Sequence, residues 1–237
     1  MGQDVPAVAE FADIQQLNQW ALEERFPLIK ISLGCYPRIK DAYEILPVGA
    51  ALGFQCGPKI ISKAPFHPSE LAHKTIAIPG QDTTAHLLLK CLLPAPYKKV
   101  FCLYHEIASL IQAGIVDCGL IIHESRFTFA EAGFVEIADL GELWHVHTKA
   151  PLPLGVLVLL RTISLPVKKR LITILRESLA VARSQPELAL PFILQHSQEK
   201  NAAIVTQHIT TYVTSETAQL SPMGKKAIEL LLSKQAG

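Results

Sequence analysis

In the segment GLIIHESRFTF, residues 119–129, the apolar run Gly119, Leu120, Ile121 and Ile122 gives way to His123, Glu124, Ser125 and Arg126. Ligands gather at the carboxyl ends of strands in a parallel sheet, so an imidazole placed there is positioned to act as a general base near neutral pH. A hydrogen-bonded structural histidine satisfies the same pattern. If the strand stays regular, Glu124 points away from His123, and Arg126 is the expected partner of its carboxylate.

Two further groups have types and spacings suited to holding an anion. In IAIPGQDTTAHLLL a strand runs into Pro79 and Gly80, and a helix begins around Thr83 and Thr84. The first turn of a helix carries unpaired N–H groups and a partial positive charge, so the Thr84 hydroxyl and the Ala85 amide are candidate donors to a carboxylate or phosphate. An ordinary threonine cap, with Asp82 complementing the dipole, fits the same residues. In LIKISLGCY, Lys30 and Ser32 are two apart on a strand and share one side of the sheet. They bring a cation and a hydroxyl together if that strand ends at a cleft, whereas a lysine at a solvated edge needs no such role. His145 and His147, in HVH, read as two imidazoles on one strand face; no third ligand is evident, and no metal is expected. His196 and His208 read as surface or interdomain contacts. No P-loop, G-x-S-x-G, H-E-x-x-H or dinucleotide fingerprint occurs.

The elements that must position these groups alternate short apolar strands with amphipathic helices, the pattern of an α/β protein with mostly parallel sheets. A helix capped by Asp13 precedes the strand LIKISL, and KTIAIPG is a strand that leads into the Thr83 helix. HEIASLIQAG is a helix closed by Gly114, VDCGLII delivers His123, and LGVLVLLR is a further strand. From Leu165 onward the pattern is helical, ending in a docking helix, PMGKKAIELLL, with Lys225 and Lys226 solvated. Glycine-marked crossings near 57–62 and 150–157 separate a middle segment from the two ends, and an inserted domain of that kind leaves a ligand-sized cleft.

Composition narrows the partner. The chain has 237 residues, 49% of them hydrophobic and 18% charged, which favours a compact core over disorder. Lysine and arginine number 22 against 21 aspartates and glutamates, so no overall field draws in nucleic acid or an anionic membrane. The expected partner is a small molecule, with the chain a monomer or homodimer. The longest apolar run is interrupted by Pro151, Pro153 and Gly155 and falls short of the ~20 residues of a membrane span. The start MGQDVPAVAEFADI lacks a basic n-region, and Pro6 stands where a myristoylation signal needs Ser or Thr. Cys35, Cys56, Cys91, Cys102 and Cys118 form no C-x-x-C pair and suit a reducing, cytoplasmic setting.

Taken in order, ADIQQLNQWAL, KISLGCY, GAALGFQCGP, IAIPGQDTTAHLLL, AGIVDCGLIIHESRFTF, DLGELW with PLPLG, and HITTYV resemble the 1,4-dihydroxy-6-naphthoate synthases of the futalosine route to menaquinone. The resemblance spans nearly the whole chain. It implies a two-lobed α/β fold like that of the type II periplasmic binding proteins, with mixed, mostly parallel sheets and a cleft between lobes. Residues 1–60 and 157–237 would form the first lobe and 61–156 the inserted second lobe. It implies a lyase acting on cyclic dehypoxanthine futalosine without redox cofactor or metal, with His123 as catalytic base and Lys30, Ile31, Ser32, Thr84 and Ala85 as substrate contacts. A chorismate dehydratase of the same pathway and a non-catalytic carboxylate-binding protein of the same fold are the alternatives. The sequence departs from the family pattern at Lys149 and Ala150, where Thr-Gly usually precedes LPLPLG. It also shows no counterpart before Asp4 to a leading strand–helix unit of about 25 to 30 residues.

Overall fold

The apolar runs become strands in a computed structural model that describes residues 8–234; the readings at Met1, Gly2, Asp4 and Pro6 lie outside the described residues. In chain order the strands are β1 (Leu28–Ser32), β2 (Tyr43–Ile45), β3 (Ala51–Gly53), β4 (Lys59–Ser62), β5 (Thr75–Ile78), β6 (Lys98–Phe101), β7 (Cys118–Ile121), β8 (Val135–Asp139) and β9 (Leu152–Leu160). They form two sheets. In the first, β1, β2 and β3 all pair with β9; in the second, the order is β6-β5-β7-β4-β8.

Pairing directions differ from the expected parallel majority. Only β5 with β6 and β5 with β7 are parallel, whereas β4 pairs antiparallel with β7 and β8, and β9 antiparallel with β1, β2 and β3. In the first sheet the cause is the returning strand. β1 and β2 run in the same direction, and β9, coming back from the second sheet, enters between them in the opposite sense and separates two parallel neighbours. The chain crosses between sheets at 54–58 and 140–151, so β4 from Lys59 belongs to the second sheet and β9 from Leu152 to the first. The sheet boundaries thus fall a few residues before 61 and 156.

One apolar core joins the two sheets, taking in Ile60, Ile76, Ile78 and Leu120 of the second together with residues of the first, and a smaller cluster lies on the second sheet alone. Ile29 and Ile31 of β1 are buried with Val156 and Val158 of β9, and Ile61, Ala77, Ile107, Ile111 and Phe134 form a separate cluster around the second sheet. The helix Ile14–Leu22 starts at Asp13, whose carboxylate accepts the Gln15 N–H at 2.8 Å. After Leu160 the chain is helical, through Leu165–Ser184, Pro186–His196, Ala202–Tyr212 and Pro222–Ser233. Among the described residues no helix is long and apolar enough to cross a membrane.

HVH does not lie on a strand. Residues Leu140–Thr148 form a helix because Asp139 accepts the N–H groups of Gly141 (2.8 Å) and Glu142 (3.2 Å), and Leu140 and Trp144, four apart, are buried together. His145 and His147 therefore diverge around the helix, and His147 Nδ1 lies 2.7 Å from the Leu143 carbonyl. At the start of this helix the two crossings touch backbone to backbone. A Cβ on Gly141 would overlap the Cys56 carbonyl carbon and the Gly57 nitrogen, and one on Gly57 would come 2.8 Å from Gly141 Cα.

Gly141→Ala is expected to destabilise the protein by about 1–3 kcal/mol, because neither neighbouring atom belongs to a side chain that can rotate away. Chemical denaturation measures the loss; an unchanged midpoint would show that the crossings are not held in contact.

Candidate active site

A cavity lies between the sheets. Its wall includes Lys30 and Ser32 from β1, Leu154 and Gly155 from β9, Thr83, Thr84 and Ala85 from the helix Thr84–Leu92 and its cap, His123, and His208 and Tyr212. Five of the six site residues expected from the sequence thus come together. Ile31 does not join them: strand alternation turns its side chain into the first-sheet core, where it is fully buried.

The same alternation turns Lys30 toward the cavity. Its ammonium donates to the Gly49 carbonyl at 2.5 Å and lies 3.4 Å from that of Gly155, and among the described residues no Asp or Glu forms an ion pair with it. Burial brings its pKa down from 10.5 to about 8. A buried charge without a counter-ion is costly, so the cavity favours an anion at this point.

Opposite stands the helix start. Thr83 caps it, accepting the His86 N–H at 3.2 Å and donating to Gly80 O at 2.9 Å. The first-turn N–H groups of Thr84 and Ala85 have no acceptor within the helix. The Thr84 hydroxyl is engaged: it donates to Leu154 O at 2.6 Å and accepts the Gly34 N–H at 3.2 Å. What this position offers an anion is therefore backbone amide, with the hydroxyl acting as a tie between the two sheets. The turn before the helix is tied too. Asn18 accepts the Ser32 N–H at 2.9 Å and donates to Asp82 O at 3.3 Å, the Asp82 N–H donates to Gln15 at 3.2 Å, and Arg38 pairs with the Asp82 carboxylate at 2.8 Å.

His123 sits two residues past β7 in the left-handed region, φ 57°, a conformation that non-glycine residues seldom adopt. The turn swings the chain into the short helix Ser125–Thr128 and ends the strand's alternation. The imidazole is half-buried, edge-on to Tyr104 at 4.8 Å between ring centroids. Burial lowers its pKa below the usual histidine range, outweighing the upward pull of Glu124 and Asp13, so the ring is neutral at pH 7.

The expected pairing of Glu124 with Arg126 does not form. Glu124 Oε1 lies 3.0 Å from Nδ1 of His208, on the helix Ala202–Tyr212. Arg126 turns instead to Gly57 O (2.8 Å), the Tyr212 hydroxyl (2.8 Å) and Asp139 (3.2 Å). Both outcomes follow from the left-handed turn, which makes Glu124 the cap of a new helix and puts Arg126 in its first turn. Burial pushes the Glu124 pKa up, but the contact with His208 overrides it and the net shift is downward. His208 and Tyr212 were not singled out for the site. Their spacing in HITTYV, four apart on a helix and so on one face, was the available signal. His145 and His147 stay outside the cavity wall. Among the described residues no group of three or more His, Cys, Asp or Glu could hold a metal ion.

A profile of the family described as menaquinone biosynthesis matches residues 5–236. The chain is 36% identical over 230 residues to a 1,4-dihydroxy-6-naphtoate synthase of Thermus thermophilus, covering 97% of this chain and 84% of the relative. It is 35% identical over 231 residues to the protein of that name from Streptomyces coelicolor, covering 95% and 81%. A crystal structure of a protein from Archaeoglobus fulgidus superposes with a TM-score of 0.90 at 30% identity, over 95% of this chain and 84% of that one. The alkanesulfonate-binding protein SsuA of Xanthomonas axonopodis pv. citri, bound to MOPS, superposes with a TM-score of 0.69 at 14% identity over 96% and 80%. This last likeness is one of fold, and the fold is periplasmic-binding-protein-like.

Because the folded pKa of Lys30 is depressed to about 8, the empty protein holds it increasingly uncharged as pH rises above that value. A bound carboxylate favours the charged form, so binding above pH 8 is expected to take up a proton. Titration calorimetry of a naphthoate in buffers of different ionisation enthalpy reads this uptake; Lys30→Met should show none, and its absence in the unmodified protein would contradict the assignment of Lys30.

Proposed function

This chain belongs to the menaquinone biosynthesis family, and on that premise we propose that it is a 1,4-dihydroxy-6-naphthoate synthase, a lyase that converts cyclic dehypoxanthine futalosine into that naphthoate and a sugar fragment. The observation that carries the reading is the unpaired ammonium of Lys30 in the same cavity wall as the neutral imidazole of His123. One anchors a carboxylate and the other removes a proton, and a carboxylated substrate that loses a proton and then a fragment needs both.

The substrate carboxylate would lie between Lys30 and the first-turn amides of Thr84 and Ala85, with Ser32 beside it. His123, uncharged, takes a proton from the substrate. The electron pair released breaks the bond to the sugar portion, which leaves with it, and the second ring becomes aromatic. Atoms and electrons balance as an elimination. Aromatisation supplies the driving force. We place the enzyme in the cytoplasm, where its five free thiols are at home.

Purified protein incubated with cyclic dehypoxanthine futalosine should release a naphthoate detectable by its absorbance. Binding without release would favour a carboxylate-binding protein, and consumption of chorismate instead would favour a dehydratase. His123→Asn is expected to lower kcat by roughly 10²- to 10⁴-fold while the naphthoate still binds. Turnover retained in that variant would remove His123 from the mechanism.

A further inference from the structure

An elimination that starts with a base must also return a proton. The pair of electrons that leaves with the sugar fragment ends on an atom that requires one, and His123 cannot supply it until it has itself been protonated by the substrate. The cavity wall holds few other donors. The hydroxyls of Ser32, Thr83 and Thr84 are alcohols, too weakly acidic to give up a proton, burial pushes the Tyr212 phenol well above its usual range, and the Lys30 ammonium is directed at two carbonyls.

His208 remains. It lines the cavity on the helix Ala202–Tyr212, with its ring centroid 6.0 Å from that of His123 and 5.0 Å from that of Tyr212. Its Nδ1 is 3.0 Å from the Glu124 carboxylate, which comes from the opposite sheet's side of the cavity. We infer that His208, with Glu124 as its orienting carboxylate, is the proton donor of the reaction and His123 the acceptor; this rests on the lyase reading above. In the step, His123 accepts the proton released from the substrate, the bond to the fragment breaks with its electrons on the fragment, and the His208 imidazolium protonates that atom. The neutral His208 and charged His123 then exchange one proton through solvent, so no oxidant or reductant is consumed.

The groups around the two rings differ. His208 faces the Glu124 carboxylate, His123 and the Tyr212 hydroxyl, while His123 faces Tyr104, Glu124, Asp13 and His208. His123 is driven toward its neutral form by burial, against the upward pull of Glu124, and Glu124 is kept ionised by its contact with His208. One imidazole set by burial and a second in contact with a carboxylate, 6.0 Å apart between ring centroids, are the arrangement an acid–base pair needs.

The experiment compares the unmodified protein with His208→Gln and Glu124→Gln. Profiles of kcat at saturating substrate, where the bound carboxylate keeps Lys30 charged, should be bell-shaped from about pH 5 to about pH 10 for the unmodified enzyme. His208→Gln should lower kcat at least about 100-fold, leave KM within about threefold and remove the alkaline limb, while the naphthoate still binds. Glu124→Gln should move the alkaline limb to lower pH, because loss of the carboxylate makes the donor easier to deprotonate. An alkaline limb that stays in place in Glu124→Gln overturns the inference whatever the rate, as does a His208→Gln enzyme with its limb intact. Should the unmodified protein release no naphthoate, the lyase reading fails by itself. The pairing is then judged by imidazole NMR: a His208 titration midpoint that does not fall in Glu124→Gln overturns it independently of turnover.

Discussion

A positive charge is held in the cavity wall where, among the described residues, its hydrogen-bond partners are carbonyl oxygens and no carboxylate, and the rest of the cavity is arranged about that fact. The Lys30 ammonium rests on Gly49 O and Gly155 O, and neither carries the full charge that would offset its removal from water. The protein tolerates this by letting the pKa fall to about 8. Such a site is unstable when empty and satisfied when an anion enters, which makes ligand binding and charge neutralisation the same event. It also selects: an uncharged analogue of the same shape leaves the ammonium as it was.

The charge has value only if the amides opposite stay near it, and the ties between the sheets secure that. Asn18, Gln15 and Arg38 from the first-sheet side all engage Asp82 in the turn before the helix, and Thr84 reaches Leu154 and Gly34. Space is limiting as well, since a Cβ on Gly34 would come 2.8 Å from Thr83 O and 3.1 Å from Thr84 N. The helix start is thus fixed against β1 and β9 by hydrogen bonds that would have to exchange for water before the cavity could open wide. That exchange costs little per bond, about 1 kcal/mol, so these contacts favour closure without locking it.

Much of this frame was legible in the sequence because local chemistry and final structure agree. Asp13 and Thr83 cap the helices they precede, the apolar runs around Ile31, Ile78 and Ile121 are strands, and Lys30 and Ser32 share a face by simple alternation. What escaped depends on contacts between distant residues. The antiparallel pairing of the first sheet arises because β9 inserts between β1 and β2, which no local pattern encodes. The side chains of Glu124 and Arg126 were assigned from a regular strand, whereas the left-handed φ at His123 ends it. The helix at His145 and His147 was misread because the polar–apolar alternation of WHVHT outweighed a capping Asp139 and the close-packed Gly141. His208 lies 84 positions from Glu124 and could be joined to it only by the fold.

The left-handed turn at His123 connects these threads. A non-glycine residue held there costs of order 1 kcal/mol, and such strain persists where surrounding contacts determine it. Here the Tyr104 ring packs on the imidazole, and Arg126, three residues on, is held by Gly57, Tyr212 and Asp139. Had the strand continued with its normal alternation, His123 and Glu124 would face opposite sides of the sheet. The turn instead leaves the imidazole in the cavity and brings the next side chain to His208. One strained residue therefore converts a buried strand into two adjacent titratable positions, one deprived of water and the other paired with a histidine. The difference between those two environments is the source of whatever proton chemistry the cavity performs.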